Sequence, residues 1–331
     1  MRKPIPHRRL GTNGPSVSAI GFGAAVLSPG YYEPVEDISS IDTVRYALDC
    51  GVNLIDTADV YGLGHSEQLI GRAIAGRRQE VVLASKFGWV VDGSSGTAVQ
   101  VNYDMPGIRA NGRPGYVRQR IDGSLKRLGV DYLDIYYQHF PDPGTPVEET
   151  VGAMAELVEQ GKVRYLGLCN VDARTLRRAH AVHPIAVVEN EYSLWARTPE
   201  REVLPTAKEL GIGFVPWAPL GSGFLGADIE SVDAGDFRSW QPRFKAENLR
   251  ENRKRFTPLR GLAKELGISP AQLALAWLLH QGQQVVPIPG MTQRWHVDDN
   301  LAAAAVTLDA EVLGRIDEIA PPGLAAGAGL I

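Results

Sequence analysis

The chain has 331 residues, 44% of them hydrophobic and 22% charged, with a formal net charge of −4. That composition is ordinary for a globular protein with ample core, and the length fits two domains or one large α/β barrel. No basic run is interleaved with aromatics, which argues against nucleic acid, and no apolar stretch reaches the roughly 18 residues of a membrane span. The start, Met1 to Arg9, is basic without an apolar stretch behind it, so secretion is not expected. Cys50 and Cys169 form no metal-ligand spacing, and a reducing cytoplasm is the expected compartment.

Strands and helices alternate with few breaks. Arg9-Leu10 and Val17 to Ala19 flank Gly11-Thr12-Asn13-Gly14-Pro15, which predicts a short hairpin ahead of the main fold. Apolar strand candidates follow at 19–22, 53–55, 81–84, 133–137, 163–168, 185–188, 213–216 and 285–288. Eight strands separated by helical patterns predict a single closed (β/α)8 barrel over residues 1–331. Ile41 to Cys50 places Ile41, Val44, Ala47 and Leu48 on one helical face, and Gly51 stops it. Val147 to Glu159 repeats the pattern, as does Pro270 to His280 with Ser269 at its N-cap.

Two connections are long. Gly88 to Gly115 follows the third strand and carries six glycines, and Leu220 to Asn252 follows the seventh. Loops after barrel strands lie on the catalytic face, so both are expected over the site. The glycine-rich tail, 321–331, is expected to be mobile.

Gly221-Ser222-Gly223-Phe224-Leu225-Gly226 fits G-x-G-x-x-G. A dinucleotide fingerprint opens a helix in an early βαβ unit, whereas this run follows the seventh strand with no helical period behind it. A doubly wound sheet is therefore not the reading. Glycines there still allow backbone N–H groups to approach a phosphate, and barrel phosphate sites favour loops after strands seven and eight. A merely flexible loop is the ordinary alternative.

Asp56, Tyr61, Lys86 and His139 follow apolar strands on the same face. Reducing a carbonyl needs a proton at oxygen as hydride reaches carbon. A phenol delivers that proton, and a neighbouring ammonium, held by a carboxylate, lowers its pKa from about 10. An imidazole orients the carbonyl oxygen by a hydrogen bond. Singly, each has an ordinary role open to it: Asp56 as a loop cap, Tyr61 as a core aromatic, Lys86 on the surface, His139 as a satisfied histidine. Jointly, these residue types at successive strand ends point to one proton-moving site.

Several motifs in register resemble the aldo-keto reductases, in the bacterial and plant branch with a long loop after strand seven. They are Asp56-Thr57-Ala58-Asp59-Val60-Tyr61-Gly62, Leu83-Ala84-Ser85-Lys86-Phe87-Gly88, Ser124-Leu125-Lys126-Arg127-Leu128-Gly129 and Asp134-Ile135-Tyr136-Tyr137-Gln138-His139. They continue through Gly161 to Leu168, Glu191-Tyr192-Ser193-Leu194-Trp195 and Val286-Pro287-Ile288-Pro289-Gly290 to Asn300. The likeness spans roughly residues 7 to 320. It implies a cytoplasmic barrel that reduces small carbonyl compounds with NADPH, without nucleic acid, membrane or metal. Its catalytic residues would be Asp56, Tyr61, Lys86 and His139, with Tyr61 as general acid. The cofactor shell it implies begins with Gly23, Ala24 and Asp56. Cys169, Asn170 and Glu189 would hold the nicotinamide carboxamide, and Trp217 would stack on the ring. Leu220, Gly221, Ser222 and Gly223 would meet the pyrophosphate. Gly290, Met291, Thr292, Arg294, Asp299 and Asn300 would take the adenosine end. Trp89, Tyr31 and Trp240 are candidate substrate walls, with Tyr103 beside them.

The sequence departs from that family at three places. Cys169 and Glu189 replace the usual Ser and Gln at the carboxamide; an ionised glutamate accepts but cannot donate, leaving donation to Asn170. Trp217 replaces a Tyr and offers a larger face. After Ile288-Pro289-Gly290 only Arg294 remains of two basic residues, so NADPH is favoured with NADH or dual use open. A cofactor-binding regulatory subunit is one alternative function. A pathway-specific reductase of a keto sugar or pyridoxal is another.

Overall fold

The computed structural model describes residues 5–32, 35–91, 93, 95–104 and 107–330. Met1 to Pro4, part of the basic start, lie outside these residues. Strands β1 (His7–Arg9) and β2 (Ser16–Ser18) form the expected antiparallel hairpin. Seven parallel strands then curve around one axis: β3 (Phe22–Gly23), β4 (Leu54–Asp56), β5 (Val82–Phe87), β9 (Leu133–Gln138), β10 (Val163–Cys169), β11 (Ile185–Glu191) and β12 (Gly213–Trp217). Between β5 and β9, the short strands β6 (Trp89–Val90), β7 (Thr97–Ala98) and β8 (Arg109–Ala110) make a small antiparallel sheet out of the first long loop.

The barrel closes through the predicted eighth strand, Val285 to Ile288, and the residues just after it, by single bridges of Val285 to Phe214 and of Gly290 to Gly23. Gly21 and Gly23 donate to Pro287 O and Pro289 O at 2.9 and 3.1 Å, and Val286 donates to Phe214 O at 2.9 Å. Pro216, Pro287 and Pro289 have no N–H to give, so this seam carries fewer hydrogen bonds than the other ladders.

Helices α1 (Asp37–Asp49), α2 (His65–Ala73), α3 (Pro114–Leu128), α4 (Val147–Glu159), α5 (Ala173–Val182), α6 (Val203–Glu209), α7 (Ala246–Glu265), α8 (Pro270–Leu279), α9 (Arg294–Ala302) and α10 (Ala310–Ile319) surround the strands. Helix α1 begins a turn earlier than its apolar period indicates. Asp37 in its first turn complements the helix dipole and meets Arg72 and His65, each at 2.8 Å. At α8, Ser269 Oγ accepts from Gln272 N at 3.1 Å and completes a capping box. None of the helices among the described residues is long and apolar enough to cross a membrane.

Alternation along the strands divides the core in two. Leu54, Ala84, Ile135, Val187 and Val215 point into the barrel and pack with Leu10 and Val17 of the hairpin. Ile55, Leu83, Tyr136, Leu168, Val188 and Phe214 point outward beneath the helices. The inward face, continued two residues along each strand, reaches Asp56, Lys86, Tyr137, Glu189 and Trp217.

The terminal segment, read as mobile from its composition, lies against the barrel mouth as far as Leu330. Ala326 and Asn252 exchange hydrogen bonds of 2.7 and 3.0 Å, and Leu330 N donates to Glu191 Oε2 at 2.9 Å. Asn102 N donates to Leu330 O at 2.9 Å, and the Leu330 side chain is 7% exposed. These partners come from distant loops, which tail composition does not reveal.

Candidate active site

Lys86 lies inside β5 rather than after it, and its residue pairs with Tyr137 across the ladder. The side chain is wholly buried. Its ammonium contacts Asp56 Oδ1 from β4 and lies 3.3 Å from Glu189 Oε1 of β11. It also donates to Thr57 O at 3.3 Å. Burial works to discharge Lys86, but Asp56 and Glu189 outweigh it and hold the ammonium well above its usual range. Both carboxyls move upward, chiefly through burial, with Lys86 opposing.

Tyr61 opens the turn after β4. Gly62, Leu63 and Gly64 follow at φ of 58°, 55° and 93°, a left-handed run that swings the chain into α2. Beneath the turn, Asp59 Oδ2 accepts from Arg120 of α3 at 2.8 Å, and Thr57 Oγ1 donates to Ser66 Oγ at 2.8 Å. The Lys86 ammonium lies 5.4 Å from the Tyr61 ring centroid, and the His139 ring lies 5.9 Å away, edge to face. Tyr31 packs on the other side of Tyr61 at 5.3 Å.

The sequence reading expected Lys86 to lower the Tyr61 pKa. Burial wins instead and pushes the phenol well above 10, with Lys86 pulling the other way. Tyr61 is therefore a neutral phenol, the form that holds a proton to give. Burial, then the Lys86 charge, keeps His139 well below 6.5, so its imidazole is neutral.

Asp56, Tyr61 and His139 open onto a cavity of about 620 Å³ at the strand ends. Gly23, Cys169, Asn170, Glu189 and Trp217 line its base. Leu220, Ser222 and Gly223 line one side, and Gly290, Thr292, Asp299 and Asn300 line the far end. Tyr31 and Trp89 stand at the mouth. Asn170 adopts φ of 57°; its amide donates to His139 O at 3.0 Å and its oxygen accepts from Trp217 Nε1 at 3.1 Å. That link spans three strand ends, and with the amide also donating to Cys169 Sγ at 3.2 Å both donors of Asn170 are engaged.

Other expected residues lie off the lining. Ala24 is buried, its N–H donating to Asp56 O at 2.8 Å. Gly221 packs against Trp195, which a Cβ there would approach to 2.4 Å. Met291 is fully buried in the outer core. Arg294 turns outward, 3.7 Å from Asp42 and 5.2 Å from the centroid of the Tyr46 ring. Trp240 and Tyr103 do not line the cavity; Tyr103 packs with Phe237 at 6.1 Å.

The glycine-rich loop also differs from expectation. The amides of Gly221, Gly223, Phe224, Leu225, Gly226 and Ala227 are spent on the loop's own turns, leaving those of Leu220 and Ser222. No helix follows it, in keeping with the rejection of the doubly wound reading. Among the described residues no group of three His, Cys, Asp or Glu is arranged to hold a metal.

The structure adds lining residues that sequence reasoning missed: Tyr32, Phe140, Phe237, Gln293, His296 and Leu330. Phe140 had a signal, standing next to His139. Phe237 and Leu330 had none, since they arrive from a loop and a tail far along the chain.

The Aldo/keto reductase family model matches residues 19–321. The chain is 44% identical over 322 residues to "Probable aldo-keto reductase 1" from Glycine max, covering 96% of this chain and 90% of that protein. Among solved structures, a glycerol dehydrogenase from Gluconobacter oxydans aligns with a TM-score of 0.81 at 28% identity, covering 95% of this chain and 94% of that one. An aldo/keto reductase from Klebsiella pneumoniae in complex with NADP and acetate aligns with a TM-score of 0.70 at 28% identity, covering 95% of each chain. This chain, a (β/α)8 barrel with buried Asp56, Lys86, Tyr61 and His139 at its strand ends, belongs to the aldo/keto reductase family.

Proposed function

We propose that this protein reduces an aldehyde or ketone of a small molecule to the alcohol, with NADPH or NADH as the reductant and Tyr61 as the proton donor. The observation that carries the reading is the neutral phenol of Tyr61 between the Lys86 ammonium and the His139 ring, facing a deep cavity. The residues present fit a nicotinamide cofactor. Trp217 offers an aromatic face, and Asp56 Oδ2 and Glu189 Oε2 are buried polar atoms with no partner among the described residues. The NADP-bound relative supports the same reading. Arg294, turned toward Asp42, weakens the case for NADPH that the sequence favoured and leaves NADH or dual use open.

The cofactor, when bound, supplies a hydride to the carbonyl carbon. Tyr61 gives its proton to the carbonyl oxygen as charge develops there. Lys86 stabilises the phenolate left behind, and Asp56 holds Lys86 in place. His139, neutral, orients the carbonyl oxygen. Trp89, Tyr31, Tyr32, Phe140 and Phe237 wall the mouth with aromatic surface, which favours a flat ring carbonyl such as a pyridoxal-type aldehyde over a keto sugar.

The test is Tyr61→Phe. It removes the transferable proton while leaving the ring, so aldehyde-dependent oxidation of NADPH and NADH should fall to background with cofactor binding retained. Full activity in that variant overturns the reading. Tight cofactor binding by the wild type without turnover of any aldehyde, ketone or keto sugar in a broad panel points to a regulatory subunit instead.

A further inference from the structure

The base of the cavity holds more carboxyl groups than cations. Asp56 is 3% exposed, Glu189 1% and Lys86 0%. Asp56 Oδ1 touches the ammonium, and Glu189 Oε1 stands off at 3.3 Å. The other oxygen of each carboxyl, Asp56 Oδ2 and Glu189 Oε2, is buried with no donor among the described residues. Both carboxyls thus face the same ammonium nitrogen, one from β4 and the other from β11. One ammonium balances one ionised carboxylate, so the second lacks a counter-charge unless it holds a proton.

Among the described residues, the titratable groups around Glu189 supply no second positive charge. Asp56 faces it from β4, Lys86 from β5, Tyr137 from β9 and Cys169 from β10, with Tyr61 beyond. Trp217, on β12, does not titrate. Burial leaves Tyr137 and Cys169 neutral, each well above its ordinary value. With both carboxyls ionised, the cluster would carry an uncompensated negative charge in the interior.

We infer that Asp56 and Glu189 share a single proton beside Lys86, with Glu189 the protonated member, and that this neutral acid is what a nicotinamide carboxamide meets at the base of the cavity. Asp56 keeps the charge because it holds the closer contact with the ammonium. A protonated Glu189 both donates and accepts, as an amide does, which an ionised one cannot. It thereby supplies a donor at a place where both amide hydrogens of Asn170 are already committed, to His139 O and Cys169 Sγ. Ionisation of Glu189 would also place a further negative charge near Tyr61 and hold its proton more tightly. The carboxamide contact rests on the reductase reading; the shared proton does not.

Infrared spectroscopy of the cofactor-free protein tests the proton directly. Asp59 is another buried acid, so the measurement is made in an Asp59→Asn background. A carbonyl band of a protonated carboxylic acid is expected at neutral pH and should vanish in Glu189→Gln. No such band, or a band indifferent to that substitution, overturns the proposal. Cofactor binding is read separately, as quenching of tryptophan fluorescence by NADH, which lacks the titrating 2′-phosphate of NADPH. Affinity should fall about tenfold as Glu189 ionises at alkaline pH, and Glu189→Gln should remove that fall. Glu189→Leu, with no polar group, should bind about tenfold more weakly at every pH. NADH affinity indifferent to pH in the wild type, with Glu189→Leu binding as tightly, overturns the carboxamide role. The band together with failure to bind NADH or NADPH would instead refute the reductase reading.

Discussion

Arg120 of α3 grips one oxygen of Asp59, with Nε at 2.9 Å and an Nη nitrogen at 2.8 Å, and so ties an outer helix to the turn that carries Tyr61. Asp59 is 2% exposed, while the arginine side chain keeps 25% of its surface in solvent. Arg120→Met should leave the Asp59 carboxyl buried and unpaired, costing about 3 kcal/mol of stability. Urea unfolding measures this, and a midpoint equal to the wild type's would refute the role. Because the Tyr61 turn loosens, kcat should drop more than KM rises.

Burial pushes Asp59 up to about 7 from an ordinary 3.8, against the pull of Arg120. Between those values the folded state holds a proton that the unfolded chain has released. Stability therefore declines as pH rises through that window and levels off above it, by roughly 4 kcal/mol in all. Asp59→Asn should flatten this part of the curve. Thermal unfolding from mildly acidic to mildly alkaline buffer, wild type against variant, checks the slope; parallel curves would count against it.

Gly167 on β10 stands beside Tyr137 on the adjacent strand β9, its partner in the ladder. A Cβ at Gly167 would come within 2.4 Å of Tyr137 Cδ1. The ring centroid of Tyr137 is 5.6 Å from Lys86 Nζ, so displacing the ring crowds the ammonium. Gly167→Ala should cost about 1–3 kcal/mol by overpacking and lower kcat as well. A melting temperature and kcat both equal to the wild type's would show that the ring moves freely.

Leu330 closes the cavity mouth with Phe237, shares an apolar cluster with Trp217 and is fixed through its backbone to Glu191 and Asn102. Truncation after Gly327 should open the mouth. The expected result is a higher KM for small aldehydes, with bulky ones turned over faster than before, and a modest loss of stability of about 1–2 kcal/mol. Unchanged selectivity across a size series would place the tail outside substrate recognition.

The barrel and its four central residues were legible because both follow from short-range rules. Alternation with a period of two sends every second residue of a strand inward, so residues two beyond the inward core positions Leu54, Ala84 and Val187 are Asp56, Lys86 and Glu189. Helix α8 was legible from Ser269 and Pro270 for the same reason. What local rules do not contain is direction and environment. Arg294 faces Asp42 and not the cavity, Met291 is core, and Gly221 packs on Trp195, because each depends on elements far away in the chain. The charges of the central residues depend on burial, which tertiary packing alone creates. By itself the sequence determined which side chains meet at the strand ends. Only the folded protein decided that Tyr61 keeps its proton, that Arg120 anchors the turn beneath it, and that Leu330 returns to close the cavity above.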